Sequence, residues 1–197
     1  LFTRKYPVTT LVLLFFLFSI IGWCWEVVLH LLSEGTFVNR GVLHGPWLPI
    51  YGTGGVLVLL ALYKLRDKPW LEFWATVVVC GVVEYFTAYY LETVYDRRWW
   101  DYAGYFLNLH GRICAEGLLV FGLGGMAIVY GVAPLFDNLL HKVRRSVLIG
   151  LCAALVALFC VDQAYSHFHP NEGEGITDEV VYKTDDARIR LDEEAFV

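Results

Sequence analysis

Apolar positions fill five blocks of the chain, at residues 9–32, 48–63, 71–95, 113–133 and 146–165, with polar or turn-forming stretches between them. A helix needs about 20 apolar residues to cross a hydrocarbon core of about 30 Å. The pattern therefore predicts an all-α fold, a polytopic transmembrane bundle of five helices within residues 1–170, and no soluble domain between them. The first block follows Arg4 and Lys5, as in a signal peptide. No small-residue cleavage site comes after it, and Gly22-Trp23-Cys24 places Trp where a lipoprotein signal needs a small residue. A retained helix is expected.

The second block departs from the others. Residues 44–63 carry no Asp, Glu, Lys or Arg, yet Pro46, Pro49, Gly52, Gly54 and Gly55 interrupt its first half. About 15 good helical residues remain, enough for only about 22 Å. The first outer loop is thus expected to re-enter the membrane as irregular backbone over residues 45–52, buried in protein or lining a wet cavity, in the manner of the broken helices of transporters. The alternative is a surface loop followed by a helix that starts at Pro49.

Composition agrees with a membrane protein: 57% of residues are hydrophobic and 16% aromatic, and the mean hydropathy of +0.53 exceeds that of ordinary soluble domains. Charge supplies the orientation. Arg4, Lys5, Lys64, Arg66, Lys68, Lys142, Arg144 and Arg145 give eight cations on one face, against four on the other, Arg40, Arg97, Arg98 and Arg112. Lysine and arginine in short loops stay cytoplasmic, so the N-terminus is expected inside and, after five crossings, the C-terminus outside. Residues 171–197 hold nine acids and three bases, a net of −6 within a total of −5, and read as an acidic, disordered tail. This balance offers nothing to nucleic acid. Cys24, Cys80, Cys114, Cys152 and Cys160 fall in or beside helices and are expected to be small packing residues rather than disulfides.

Candidate chemistry follows from the acids. Glu26, Glu84, Glu116 and Asp162 lie inside apolar blocks, where an ionised carboxylate is costly without a partner or a wet cavity. In the expected topology all of them, with Glu92, fall at mid-depth or in the outer half. Glu92 and Glu116 are also placed where a side chain can reach the headgroups; Glu26 and Glu84 are too deep for that. Trp23, Glu26 and His30 share one face of the first helix, and Tyr85, Tyr89 and Glu92 share one face of the third. A faint repeat relates Gly22, Glu26 and Glu34 to Gly81, Glu84 and Glu92, each set followed by an Arg-Gly or Gly-Arg pair, Arg40-Gly41 and Gly111-Arg112. Arg40 and Arg112 are accordingly expected to approach Glu34, Glu84, Glu92, Asp101 or Glu116. His30, His44 and His110 are metal-ligand candidates without a firm signature, and no cofactor is indicated.

The run Phe37-Val38-Asn39-Arg40-Gly41, then Gly45-Pro46 and Pro49-Ile50-Tyr51-Gly52, resembles the bacterial ABC-transporter type IV (CmpB-like) permease family. So do Glu84-Tyr85, Glu92, Trp99-Trp100-Asp101-Tyr102, Asn108 and Gly111-Arg112-Ile113, the likeness covering about residues 20–136. The resemblance implies a small polytopic protein of the bacterial cytoplasmic membrane and a transport component. It places Asn39, Arg40, Tyr51, Glu84, Glu92, Trp100, Asp101 and Arg112 at motif positions, and Glu26, Glu116 and Asp162 complete the candidate solute-binding set. No Gly-x4-Gly-Lys-Ser/Thr loop is present, so an ABC-type system would need a separate ATPase subunit. Small-xxx-small pairs such as Gly150/Ala154 and Ala127/Gly131 permit close helix approach within the bundle or between copies in a homo-oligomer.

Three functions fit: a permease with an outward-facing acidic and aromatic cavity for a polar or cationic solute; an intramembrane enzyme acting on a lipid or headgroup at the outer leaflet; and a non-catalytic membrane scaffold. Against the enzyme, no His-Glu-x-x-His or Gly-x-Ser-x-Gly signature occurs.

Overall fold

The computed structural model describes residues 4–96 and 98–171. The acidic tail, from residue 172, and Arg97 lie outside the described residues. Five helices make up the described fold: α1 Val8–Glu34, α2 Pro49–Ala61, α3 Pro69–Tyr95, α4 Ala115–Leu140 and α5 Arg145–Phe168. Four of them, α1, α3, α4 and α5, are long and apolar enough to cross a bilayer. All five cysteines are free thiols.

Helix ends follow local chemistry. Gly35, at φ 72°, takes the left-handed turn that closes α1 and gives its N–H to the Leu31 carbonyl. Pro49 and Pro69 occupy first-turn positions of α2 and α3, where a missing N–H costs nothing. Helix α4 runs seven residues beyond the block that ends at 133. Its apolar pattern stops there, but Pro134 does not stop the helix, because a single π turn, Ile128–Val132, precedes it and the Ala133 N–H bonds to the Ile128 carbonyl. The widened turn absorbs the clash that proline would otherwise make with the preceding turn.

The first loop does re-enter. The Leu48 N–H donates to the Ser19 carbonyl at 3.0 Å, and Ser19 lies fifteen residues before Glu34, about 22 Å down the α1 axis. Residues 35–48 therefore descend beside α1 to its middle, and α2 covers only the remaining depth. Irregular backbone ends at Leu48, however, and does not continue to Gly52. Gly52, Gly54 and Gly55 lie within α2, where they serve helix contact: a side chain at 52 would strike Ser19 Oγ and the Phe15 carbonyl, and one at 55 the Phe18 ring.

The core joins α1, α2 and α4 through Leu14, Phe18, Val58, Leu59, Val129 and Ala133. A second cluster, Phe16, Leu43 and Trp47, packs on Phe159 and ties the descending loop to α5. Of α5 only Ser166 is fully buried, and the face away from Leu155, Phe159 and Asp162 is left for lipid.

Candidate functional site

Glu26 meets two partners carried by the first loop and α2. The Tyr51 hydroxyl donates to Glu26 Oε1 at 2.5 Å, and Arg40 Nε lies 3.9 Å from Glu26 Oε2. Tyr51 reaches this far because its ring lies across Gly22, where any side chain would overlap it. Arg40 was expected beside Glu34, Glu84, Glu92, Asp101 or Glu116. It goes to Glu26 instead, because the loop carries it down alongside α1.

Glu84 is 4% exposed. Its Oε1 accepts from the Tyr102 hydroxyl at 3.2 Å, and its Oε2, also buried, has no partner. An unpaired buried carboxylate oxygen carries a desolvation penalty. Tyr102 sits in the loop between α3 and α4, where burial, then the carboxylates of Glu84 and Glu26, hold its phenol above the ordinary range. The two acid–tyrosine pairs thus share one polar centre, with Tyr102 within electrostatic reach of both acids.

The second loop forms a denser cluster above it. Glu92 is clasped by Arg98 and Arg112, and Arg112 also donates from Nη1 to the Tyr85 hydroxyl at 3.1 Å. The Arg112 guanidinium lies over the rings of Tyr85 and Tyr89, 5.2 and 5.3 Å from their centroids. Hydrogen bonding to Glu92 raises the Arg112 pKa further. Trp100 Nε1 donates to the Arg112 carbonyl at 3.1 Å, and Asp101 Oδ1 accepts from the Ala103 N–H at 2.9 Å. Gly111, at φ 70°, leaves space that Asp101 and Arg98 fill. A small crevice runs between Ala88, Leu91 and this cluster; the buried Nε1 of Trp99, in its wall, has no partner.

Other sequence candidates hold the first loop in place. Asp162 accepts from the N–H groups of His44 at 3.2 Å and Gly45 at 2.9 Å, from Trp47 Nε1 at 2.7 Å and from Ser166 Oγ at 3.1 Å. Four donors use its oxygens, so Asp162 pins the descending backbone to α5. Asn39 accepts from Trp23 Nε1 at 2.7 Å and donates to the His44 carbonyl at 2.9 Å. Asn171, just past α5, donates to the carbonyls of Asn39 and Gly41. Glu116 is exposed in the first turn of α4. His44 Nδ1 lies 3.0 Å from Ser166 Oγ, His110 Nδ1 lies 2.9 Å from the Tyr85 hydroxyl, and His30 is half-buried on α1. Among the described residues no three His, Cys, Asp or Glu side chains are grouped as metal ligands.

A second polar cluster, at the opposite end of the bundle, was not anticipated. Glu72 is 0% exposed and accepts from Thr76 Oγ1 at 2.9 Å. Arg66, also buried, donates to the carbonyls of Arg4 and Leu59. Asp137 pairs with Arg4 and accepts from Thr10 Oγ1 at 3.1 Å. Glu72 stands in the first turn of α3, a place where acids ordinarily favour the helix dipole at a surface. Only its four-residue steps to Thr76, Cys80 and Glu84 point inward.

Long apolar helices, a re-entrant loop and buried acids paired with tyrosine and arginine define a polytopic helical membrane protein with a polar interior. The family model ABC_trans_CmpB, described as "Putative ABC-transporter type IV", matches residues 13–167, and the chain belongs to that family. The match takes in nearly all of α5, beyond the span of the resemblance read from motifs. No curated protein matches the chain, and no solved structure does. Helices and family together make this a membrane component of the ABC-transporter type.

Proposed function

We propose that the chain is the membrane-embedded permease part of a transport system, in which Glu26, Tyr51, Tyr102 and Glu84 form the contact surface for a cationic or polar solute. The observation that carries this reading is the free Oε2 of Glu84, buried at the centre of the bundle beside a second acid–tyrosine pair. A cation would supply the partner that this oxygen lacks. Arg40 and the Arg98–Glu92–Arg112 cluster lie at the approach and balance its charge. In this reading the loops at 35–48 and 96–114 lie outside a bacterial cytoplasmic membrane, an orientation supported by the bias of eight cations to four. ATP hydrolysis would come from a separate subunit, since the chain has no phosphate-binding loop.

The test is saturable binding of radiolabelled methylammonium, choline and putrescine to the purified chain in detergent. At least one should bind to the wild type, and Glu84→Gln, which keeps the shape and removes the charge, should lose that binding at an unchanged melting temperature. Binding retained in Glu84→Gln, or none by the wild type to any of the three, overturns the proposal.

A further inference from the structure

One stripe of α3 carries polar groups from the first turn of the helix, at one end of the bundle, to its middle. Glu72, Thr76, Cys80 and Glu84 follow at steps of four residues, and the two glutamates are separated by about 18 Å along the axis. Burial places the stripe inside: Glu72 and Thr76 are 0% exposed, Glu84 is 4% exposed, and Cys80 is half-buried. The facing helices make room for it. Gly125 of α4 lies against Thr76, where any side chain would collide, and Gly54 of α2 faces the Cys80 sulfur.

The ends of the stripe match. Each glutamate has one oxygen bonded to a hydroxyl, Thr76 for Glu72 and Tyr102 for Glu84, and each has a buried Oε2 with no partner. Burying two carboxylates in this way along a single helix serves packing poorly, since each orphaned oxygen costs free energy that an apolar residue would not. A proton on that oxygen removes the charge. Arg66 and Tyr130 face Glu72, and Tyr102, Glu26, Tyr51 and Cys114 face Glu84. The Cys80 thiol is within electrostatic reach of both glutamates.

We propose that this stripe conducts protons across the membrane, with Glu72 and Glu84 as the stations that take them up and release them. The idea rests on the permease reading only for the role of Glu84. A proton reaching Glu84 Oε2 from the second-loop side neutralises that carboxylate. Its passage to Glu72 runs through the Cys80 thiol and the Thr76 hydroxyl, each accepting one proton and releasing another, so that nothing else is consumed. Thr76 already touches Glu72. The other two steps, about 6 Å each along the helix, are wider than a hydrogen bond, so the relay requires a water molecule to enter at each. Glu72 then releases its proton on the Arg66 side.

The full chain, reconstituted in phosphatidylcholine–phosphatidylglycerol vesicles containing pyranine, should acidify the lumen under a valinomycin-imposed potassium potential. Glu72→Gln and Glu84→Gln should each fall to the protein-free rate, while Glu34→Gln, altered at the exposed end of α1, should match the wild type. Wild-type protein should also take up the apolar carbodiimide dicyclohexylcarbodiimide at Glu72 and Glu84 by peptide mass analysis, a readout independent of variant folding. Flux in Glu72→Gln equal to wild type, no wild-type flux above protein-free vesicles, or no labelling of Glu72 overturns the relay. Solute binding that persists without proton flux would sink the relay and leave the permease reading standing; proton flux without solute binding would do the reverse.

Discussion

Gly22 and Tyr51 are locked together: the tyrosine ring occupies the space that a side chain on Gly22 would need, and from there its hydroxyl reaches Glu26. A methyl group at position 22 has to displace the ring of a residue anchored in the first turn of α2. Gly22→Ala should therefore destabilise the protein by about 1–3 kcal/mol, the usual range for overpacking. It should also lower the melting temperature in detergent more than Tyr51→Phe, which removes only the hydroxyl. A melting temperature unchanged in Gly22→Ala would show that α1 and α2 are not held at this point.

Glu92 has two guanidinium partners, so losing one does not leave it alone. Arg112→Ala and Arg98→Ala should each cost about 1–2 kcal/mol, below the range for orphaning a buried charge, because Glu92 is 19% exposed and keeps the other arginine. Removing both should cost more than the sum, since only then is the carboxylate unpaired. Strict additivity by thermal denaturation of the three variants would contradict the shared cluster.

Much of this architecture was legible as apolar blocks: α1, α3 and α5 begin and end within three residues of theirs. The re-entrant loop was legible too, because prolines and glycines left too little helix to span the bilayer. Helical pattern alone did not reveal that Gly52 and Gly55 sit inside α2, since a glycine that breaks a helix and one that lets two helices touch look alike before the partner is known. The fourth apolar block ended at 133, seven residues short of α4, and the π turn that carries the helix past Pro134 has no sequence signature. Arg112 pairs with Glu92, one of the five acids expected for it and Arg40 together. The ties of Asp162 to residues 44–47 join positions more than a hundred apart, and nothing local encodes them.

Tyr102 supplies a pH dependence. Its phenol is held above the unfolded value of 10.0, first by burial and then by the neighbouring carboxylates. Below pH 10 the hydroxyl is protonated in folded and unfolded chains alike and its contribution is fully present. Above pH 10 the unfolded chain loses the proton while the folded chain holds it, so the unfolded state binds fewer protons and stability falls as pH rises. The melting temperature should decline from about pH 10 upward, and Tyr102→Phe should flatten that decline while losing the hydrogen bond to Glu84. An identical alkaline profile in Tyr102→Phe would mean that other tyrosines account for it.

The topology rests on charge and on the depth of one backbone contact. Eight cations against four favour the loops at 35–48 and 96–114 on the outer side, while the Leu48–Ser19 hydrogen bond at 3.0 Å brings the end of the first loop to the middle of α1. Single cysteines at residues 36, 45 and 142, introduced in a background without the five native ones, separate the two statements. A membrane-impermeant maleimide added to intact cells should label residue 36 and not residue 142, and permeabilisation should expose 142. Gly45, whose N–H is held by Asp162, should resist the reagent from both sides yet react with a small apolar maleimide, because it lies below the membrane surface among Trp47 and α5. Labelling of residue 142 in intact cells would invert the orientation. Rapid labelling of residue 45 by the impermeant reagent would mean that the loop lies at the surface instead of descending beside α1.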